Sequence, residues 1–214
     1  MATRKLIYFY DALCGWCYGF SPVIRELYQQ VNDSIHFEVV SGGMVLGDRE
    51  GPIGDVASYI KDAYRQVEQT TGVNFGKPFL DDVLEEGSAH FSSWYPAVAM
   101  AIVQDLQPGV DLAFATALQQ AIYRDGHPPA EPETYRKLAA DFDLDPEEFV
   151  ANLEQKAYHE KARQQFDRTA KFRIGGFPTL VLELDEEYFV LTRGYMSLEV
   201  IQFRLEQVLK AHQD

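Results

Sequence analysis

The stretch YFYDALCGWCYGF, residues 8–20, holds both cysteines of this 214-residue chain, three positions apart. An apolar, aromatic-rich run of β type, KLIYFY (5–10), leads into it. Beyond it, Phe20, Val23, Ile24, Leu27, Tyr28 and Val31 recur at helical spacing. Pro22 falls inside that pattern, where a kink or a local irregularity is expected. The two thiols therefore lie where a strand hands over to a helix.

Working outward, IHFEVV (35–40) alternates as a strand does, and SGGM (41–44) turns the chain. Strand, helix and strand make a βαβ unit, with parallel strands and a right-handed crossover. At the other end, Thr179–Leu184 and Tyr188–Thr192 read as two strands of a hairpin around an acidic turn. A last helix follows, with Ser197 as N-cap and Leu198, Ile201, Leu205, Val208 and Leu209 as its apolar face. The stretch between is far longer than a loop, and its patterns are helical throughout. Val56, Tyr59, Ile60, Ala63, Tyr64 and Val67 form one stripe, Pro96 opens another helix, and Asp111 caps a third. DLDPEEF (143–149) is a helix start, with Asp145 at N-cap, Pro146 at N1 and Glu148 at N3. These stripes are expected to pack a core.

Ligands gather at the carboxyl ends of parallel strands. With the hairpin antiparallel to the first two strands, four distant segments meet on that rim: Asp11–Cys17, Ser41–Met44, Gly176–Thr179 and Arg193–Tyr195.

The formal net charge is −14, and no Lys/Arg cluster interrupts that field. Nucleic acid and anionic membranes are therefore not expected as partners. The apolar run Leu6–Tyr10 is too short for a secretion signal and ends in Asp11, and no other run reaches membrane-spanning length. A cytoplasmic protein is expected. Three chemistries then compete for the cysteines. Zinc needs about four ligands, whereas there is no second cysteine pair and the five histidines are scattered. No metal is expected. A structural disulfide would close too small a loop to stabilise much, and a reducing compartment works against it. A redox pair has a mechanism: free N–H groups at the helix start favour a negative charge on Cys14, and Cys17, one turn later, can attack the mixed disulfide.

At these residues the chain resembles a known family. FYDALCGWCYGF with GGFPTLVLE (175–183) is similar to the DsbA-like branch of the thioredoxin superfamily, within it to the cytosolic predicted protein-disulfide isomerases akin to FrnE. The resemblance implies an α/β thioredoxin-like fold with a long helical insertion: residues 1–48 and 174–214 as the thioredoxin-like domain, 49–173 as an inserted helical subdomain. It implies a thiol–disulfide oxidoreductase or disulfide isomerase, with Cys14 as nucleophile, Cys17 as resolving thiol and Pro178 as the cis-proline facing them. Cys14 is expected to be the exposed thiol and Cys17 the more buried one. The oxidant DsbA enzymes place a histidine between their cysteines; Gly15–Trp16 supplies no such charge, which favours reduction or isomerisation over oxidation.

Trp16, Gly43, Phe177, Thr179 and Tyr195 are the residues expected to meet substrate, and Asp11 is a candidate proton relay. Trp16 reads as an apolar lid, and Gly42 and Gly43 as a turn that lets a substrate backbone approach. Partners would be protein or small-molecule thiols and disulfides. No bound cofactor is expected, with glutathione a candidate redox partner. One alternative is a glutathione-dependent isomerase or transferase of the related kappa-class and 2-hydroxychromene-2-carboxylate isomerase branch, which places serine at the first thiol. Another is a non-catalytic binding module that uses the helical insert.

Overall fold

Successive side chains of β1 (Arg4–Tyr10) face opposite layers, and that alternation sets the architecture. The computed structural model describes residues 4–212. Leu6, Tyr8 and Tyr10 enter the main core, whereas Ile7 and Phe9 join Val40 and Val181 in a smaller one on the other face. β1 is central. β2 (His36–Ser41) runs parallel to it, β5 (Thr179–Leu184) antiparallel on its other side, and β6 (Glu187–Arg193) forms the far edge. α1 (Gly15–Val31) crosses from β1 to β2, and α9 (Leu198–Ala211) packs beside it. The pairings Tyr10↔Ser41, Phe9↔Thr179 and Thr179↔Arg193 bring the four expected segments to one rim. This is an α/β thioredoxin-like fold.

Helices fill most of the interval between β2 and β5: α2 (Ala57–Thr71), α3 (Leu84–Glu86), α4 (Trp94–Leu106), α5 (Asp111–Tyr123), α6 (Pro132–Asp141), α7 (Pro146–Leu153) and α8 (Lys156–Lys171). The expected cap is there, Asp145 accepting the N–H groups of Glu147 and Glu148, both at 2.9 Å. The expectation of helices alone needs correction. β3 (Gly51–Pro52) and β4 (His90–Phe91) pair antiparallel. The N–H groups of Ile53 and Gly54 continue that contact to the carbonyls of Ala89 and Gly87, each at 2.9 Å. A Cβ on Gly54 would lie 2.9 Å from the Gly87 oxygen, so a missing side chain permits the approach. Two-residue strands leave no periodicity to read. Three local readings also shift. Val56 and Tyr59 are 51% and 71% exposed, so the stripe packs only from Ile60 onward, through Tyr64 and Val67. Asp111 is the first residue of α5 rather than its cap. Pro22 sits within one continuous helix that begins at Gly15, five residues earlier than the apolar pattern showed.

The main core runs without a break from β1 and α1 into α4, α5 and α7. α8 meanwhile lies along the free edge of β2. Gln165 Oε1 accepts the Ser41 N–H at 2.8 Å, Thr169 Oγ1 donates to the Ser41 carbonyl at 3.3 Å, and Gln104 of α4 donates to the Val39 carbonyl at 2.9 Å. Side chains thus occupy edge groups that would otherwise invite another strand. Arg168 of α8 pairs with Glu38 on the same strand, and its charge and hydrogen bond hold that carboxyl below its ordinary range, although burial pulls the other way. We propose that α8 belongs to the thioredoxin-like unit, so that the insert runs from 49 to 155.

Gly19 lets α2 lie close on α1: a Cβ there would stand 2.7 Å from Val67 Cγ1 and 2.8 Å from Thr71 Cγ2. Gly19→Ala gains about 1 kcal/mol of helix propensity but overpacks the contact by about 1–3 kcal/mol. Urea unfolding is expected to show a net loss of about 1 kcal/mol; a stabilised variant would show the contact to be looser than described.

Candidate active site

The strand-to-helix handover is built on Asp11, which is 2% exposed. Its Oδ1 accepts the Leu13 N–H at 2.9 Å and the Ser93 hydroxyl at 3.0 Å, and its Oδ2 accepts the Met44 N–H at 2.7 Å. Its backbone carbonyl accepts the Cys14 N–H at 3.1 Å and the Gln119 side chain at 3.2 Å. One residue therefore ties the cysteine loop, the turn after β2, the start of α4 and the buried face of α5. Burial raises the Asp11 pKa, against the lowering effect of the N–H groups of Met44 and Leu13 and of the Ser93 hydroxyl.

Cys14 caps α1. Its sulfur accepts the Cys17 N–H at 3.3 Å, and its carbonyl accepts the N–H groups of Cys17 (3.0 Å) and Tyr18 (3.1 Å). The thiol points to the Phe177 carbonyl, 3.5 Å away. Both cysteines are reduced. Cys17 is fully buried, but Cys14 is only 5% exposed, so the expected open thiol is corrected: the 175–178 loop covers it. Burial first, then the hydrogen bond and proximity of Cys14, push the Cys17 thiol well above its ordinary value.

The peptide bond Phe177–Pro178 is cis. The Pro178 carbonyl accepts the Gly194 N–H at 2.7 Å, and the Thr179 hydroxyl donates to the Gly176 carbonyl at 2.8 Å. The Phe177 ring rests on Gly42, where a Cβ would stand 2.2 Å from its Cζ. Gly42 thus admits this ring where a substrate backbone was expected. Gly43 has φ +70°, and the space a Cβ would take there belongs to Leu46 and Phe166. Tyr195 packs edge-on to Phe20, with ring centroids 6.1 Å apart, and Trp16 is half-buried beside the thiols. Of the residues expected to meet substrate, Phe177 meets the Cys14 sulfur through its carbonyl and Trp16 lies between the two cysteines in α1, whereas Gly43, Thr179 and Tyr195 shape the loops around them. A groove of about 600 Å³ opens on the far side of the Phe177 loop, lined by Phe172, Ile174, Val181, Tyr188 and Arg193 among others. Among the described residues, no group of His, Cys, Asp and Glu could hold a metal ion, and no helix is long and apolar enough to cross a membrane.

Sequence reading missed Ser93 and Gln119. Gln119, set among the apolar residues on the buried face of α5, was the one available signal. Ser93 had none, because how the helices dock was not legible.

The sequence matches the DSBA-like thioredoxin domain over residues 5–206. The chain belongs to that family. No curated protein matches it. Among solved structures, it is similar to a candidate protein disulfide isomerase from Nitrosomonas europaea, with 25% identity over 98% of this chain and 99% of that one and a TM-score of 0.85. The cytosolic disulfide reductase DsbM from Pseudomonas aeruginosa is 29% identical over 97% of this chain and 99% of its own, with a TM-score of 0.81. A structure of DsbM with GSH matches at 28% identity over 96% and 99%, with a TM-score of 0.79. The likeness to a 2-hydroxychromene-2-carboxylate isomerase, at 14% identity over 97% of this chain and 95% of that one with a TM-score of 0.65, is one of fold. The family is one of thiol–disulfide oxidoreductases.

Two outcomes follow from the buried groups. Asp11→Asn replaces an acceptor oxygen by an NH₂ that faces backbone donors, and buried unpaired donors cost about 1–3 kcal/mol. An unfolding free energy lowered by about 2 kcal/mol in urea titration is expected; an unchanged value would remove Asp11 from its place as the loop's anchor. Cys17 has a folded pKa above its unfolded value, so its contribution to stability is complete below about pH 8.5 and lost as pH rises. The reduced protein should lose up to about 1.4 kcal/mol per pH unit above that point. Cys17→Ser should remove this decline, leaving the one that starts near about pH 10 as phenols ionise in the unfolded chain. Burial, its largest cause, raises the phenols of Tyr8, Tyr10, Tyr123 and Tyr135 well above their ordinary value.

Proposed function

We propose that the chain is a cytoplasmic thiol–disulfide oxidoreductase acting through Cys14 and Cys17 in the reducing direction, with glutathione as the thiol that restores it. One observation carries the reading: Cys14 presents its sulfur at the open end of α1, 3.3 Å from the Cys17 N–H and 3.5 Å from the Phe177 carbonyl. A thiolate there accepts the Cys17 N–H, which it shares with the Cys14 carbonyl, and stands at the positive end of the α1 dipole. It attacks a disulfide R–S–S–R′, forming Cys14–S–S–R and expelling R′S⁻, which takes a proton from water. Cys17 then gives up its proton and attacks the Cys14 sulfur. The Cys14–Cys17 disulfide forms, and R leaves as RSH. Two glutathione molecules return both thiols and depart as glutathione disulfide.

Three features support the reducing direction. Gly15–Trp16 adds no positive charge beside the thiols. No cation is among the groups that act most on Cys17. The disulfide reductase DsbM is similar along nearly the whole of both chains, and one of its structures holds GSH. Substrate would lie against Trp16 and the exposed Gly175–Gly176 segment, with Pro178 fixing the loop. Asp11, its carboxylate oxygens spent on Leu13, Met44 and Ser93, serves the loop rather than proton transfer.

Reduction of insulin by glutathione, followed as turbidity, tests the proposal. Cys14→Ser should fall to background, and Cys17→Ser should accumulate a mixed disulfide through Cys14, seen as added mass. Alkylation should reach Cys14 first near neutral pH. Faster alkylation of Cys17, or turnover that survives Cys14→Ser, would overturn it.

A further inference from the structure

The hydroxyl of Tyr8 has no hydrogen-bond partner, although its residue is 2% exposed. A buried, unspent O–H is costly, so its place calls for a reason. Tyr8 stands in β1 on the face that α1 covers, its ring 5.8 Å from that of Tyr10 and 6.0 Å from that of Phe20. These rings leave it little freedom to turn toward water. Cys17 is the polar group that bears on the hydroxyl: both lie in the core under α1, and after burial the Cys17 thiol, Cys14 and a marginal Tyr8–Cys17 hydrogen bond all push the phenol's pKa up.

Cys17 has the complementary problem. To release a substrate it must become a thiolate while 0% exposed. The groups that act most on it are Cys14 from the same helix and Asp11 from the preceding loop, whose charges oppose ionisation, while the Asp11 backbone N–H favours it. The other titratable groups that sense the sulfurs are Tyr10 of β1 and Tyr123 of α5, and neither is a cation.

We infer that the Tyr8 hydroxyl is the hydrogen-bond donor that holds the Cys17 thiolate as it attacks the mixed disulfide. The phenol keeps its proton throughout. Cys17 gives its own proton to solvent, the Cys14–Cys17 bond forms as the Cys14–substrate bond breaks, and the departing thiolate is protonated. In the resting state Cys17 is a neutral thiol and a poor acceptor, which accounts for a hydroxyl that makes no well-formed hydrogen bond. Tyr8 thereby acts on the second half of the exchange and not on the first. This rests on the division of labour proposed for Cys14 and Cys17.

The reduced protein mixed with dithiobis-nitrobenzoate separates the two halves. Attack by Cys14 releases one thionitrobenzoate, and resolution by Cys17 releases the second. Tyr8→Phe should slow the second release about tenfold, as loss of one bond to a charged group would, and leave the first within about twofold. Phe20→Leu, which loosens the ring packing but keeps the hydroxyl, should not reproduce that split. An unchanged second phase in Tyr8→Phe, or the same split in Phe20→Leu, overturns the role of Tyr8 alone. Absence of the first phase in the parent chain overturns the reading of the site as well. Should Tyr8→Phe fail to fold, Cys14→Ser answers the question with Tyr8 in place. Thiolate absorbance and a tyrosine near-ultraviolet red shift should then titrate together, and a thiolate that appears without the tyrosine shift refutes the bond.

Discussion

The site depends on one buried carboxylate. Asp11 spends its two oxygens on Leu13, Met44 and Ser93, which come from three different parts of the chain. Remove that carboxyl and, among the described residues, no other side chain hydrogen-bonds to the cysteine loop, the turn after β2 and the start of α4 together. The carboxyl is held by N–H and O–H donors rather than by a counter-ion. A cation at this point would also act on the nearby thiols; with donors alone around it, Asp11 remains the charge that opposes ionisation of Cys17.

The same economy holds around the cis-proline loop. Phe177 has two jobs that pull on opposite ends of one residue: its ring lies on Gly42, and its carbonyl receives the Cys14 thiol. The Pro178 carbonyl is held by Gly194. The loop is thus fixed from β2 and β6 before any substrate arrives, and the geometry that meets the disulfide is preorganised.

Much of this was legible from residues alone, for identifiable reasons. Strand alternation and turn chemistry placed β1, β2, β5 and β6, and parallel–antiparallel logic brought Asp11, Met44, Phe177 and Gly194 to one rim. Helix caps such as Asp145 declared themselves because their chemistry is local. What failed to show was non-local. The β3–β4 ladder is two residues long, and the exposure of Val56 and Tyr59 depends on which helices reach α2. The burial of Cys14 depends on a loop more than 160 positions away. Ser93 and Tyr8 carry no motif, and only packing reveals what their hydroxyls face.

The pairing of β1 with β5 has a consequence for the order in which the protein is made. The central strand finds its antiparallel neighbour only when residues 179–184 arrive, after every helix but the last. The edge of β2 is likewise sealed by Gln165 and Thr169, late in the chain. A ribosome that has delivered the first hundred residues has therefore made a βαβ unit with one open flank on each side and a reduced thiol with no loop above it. Contacts of such sequence separation are slow to form, and open strand edges are sticky while they wait. The emerging chain is thus exposed to mispairing and to premature oxidation until its last quarter closes both.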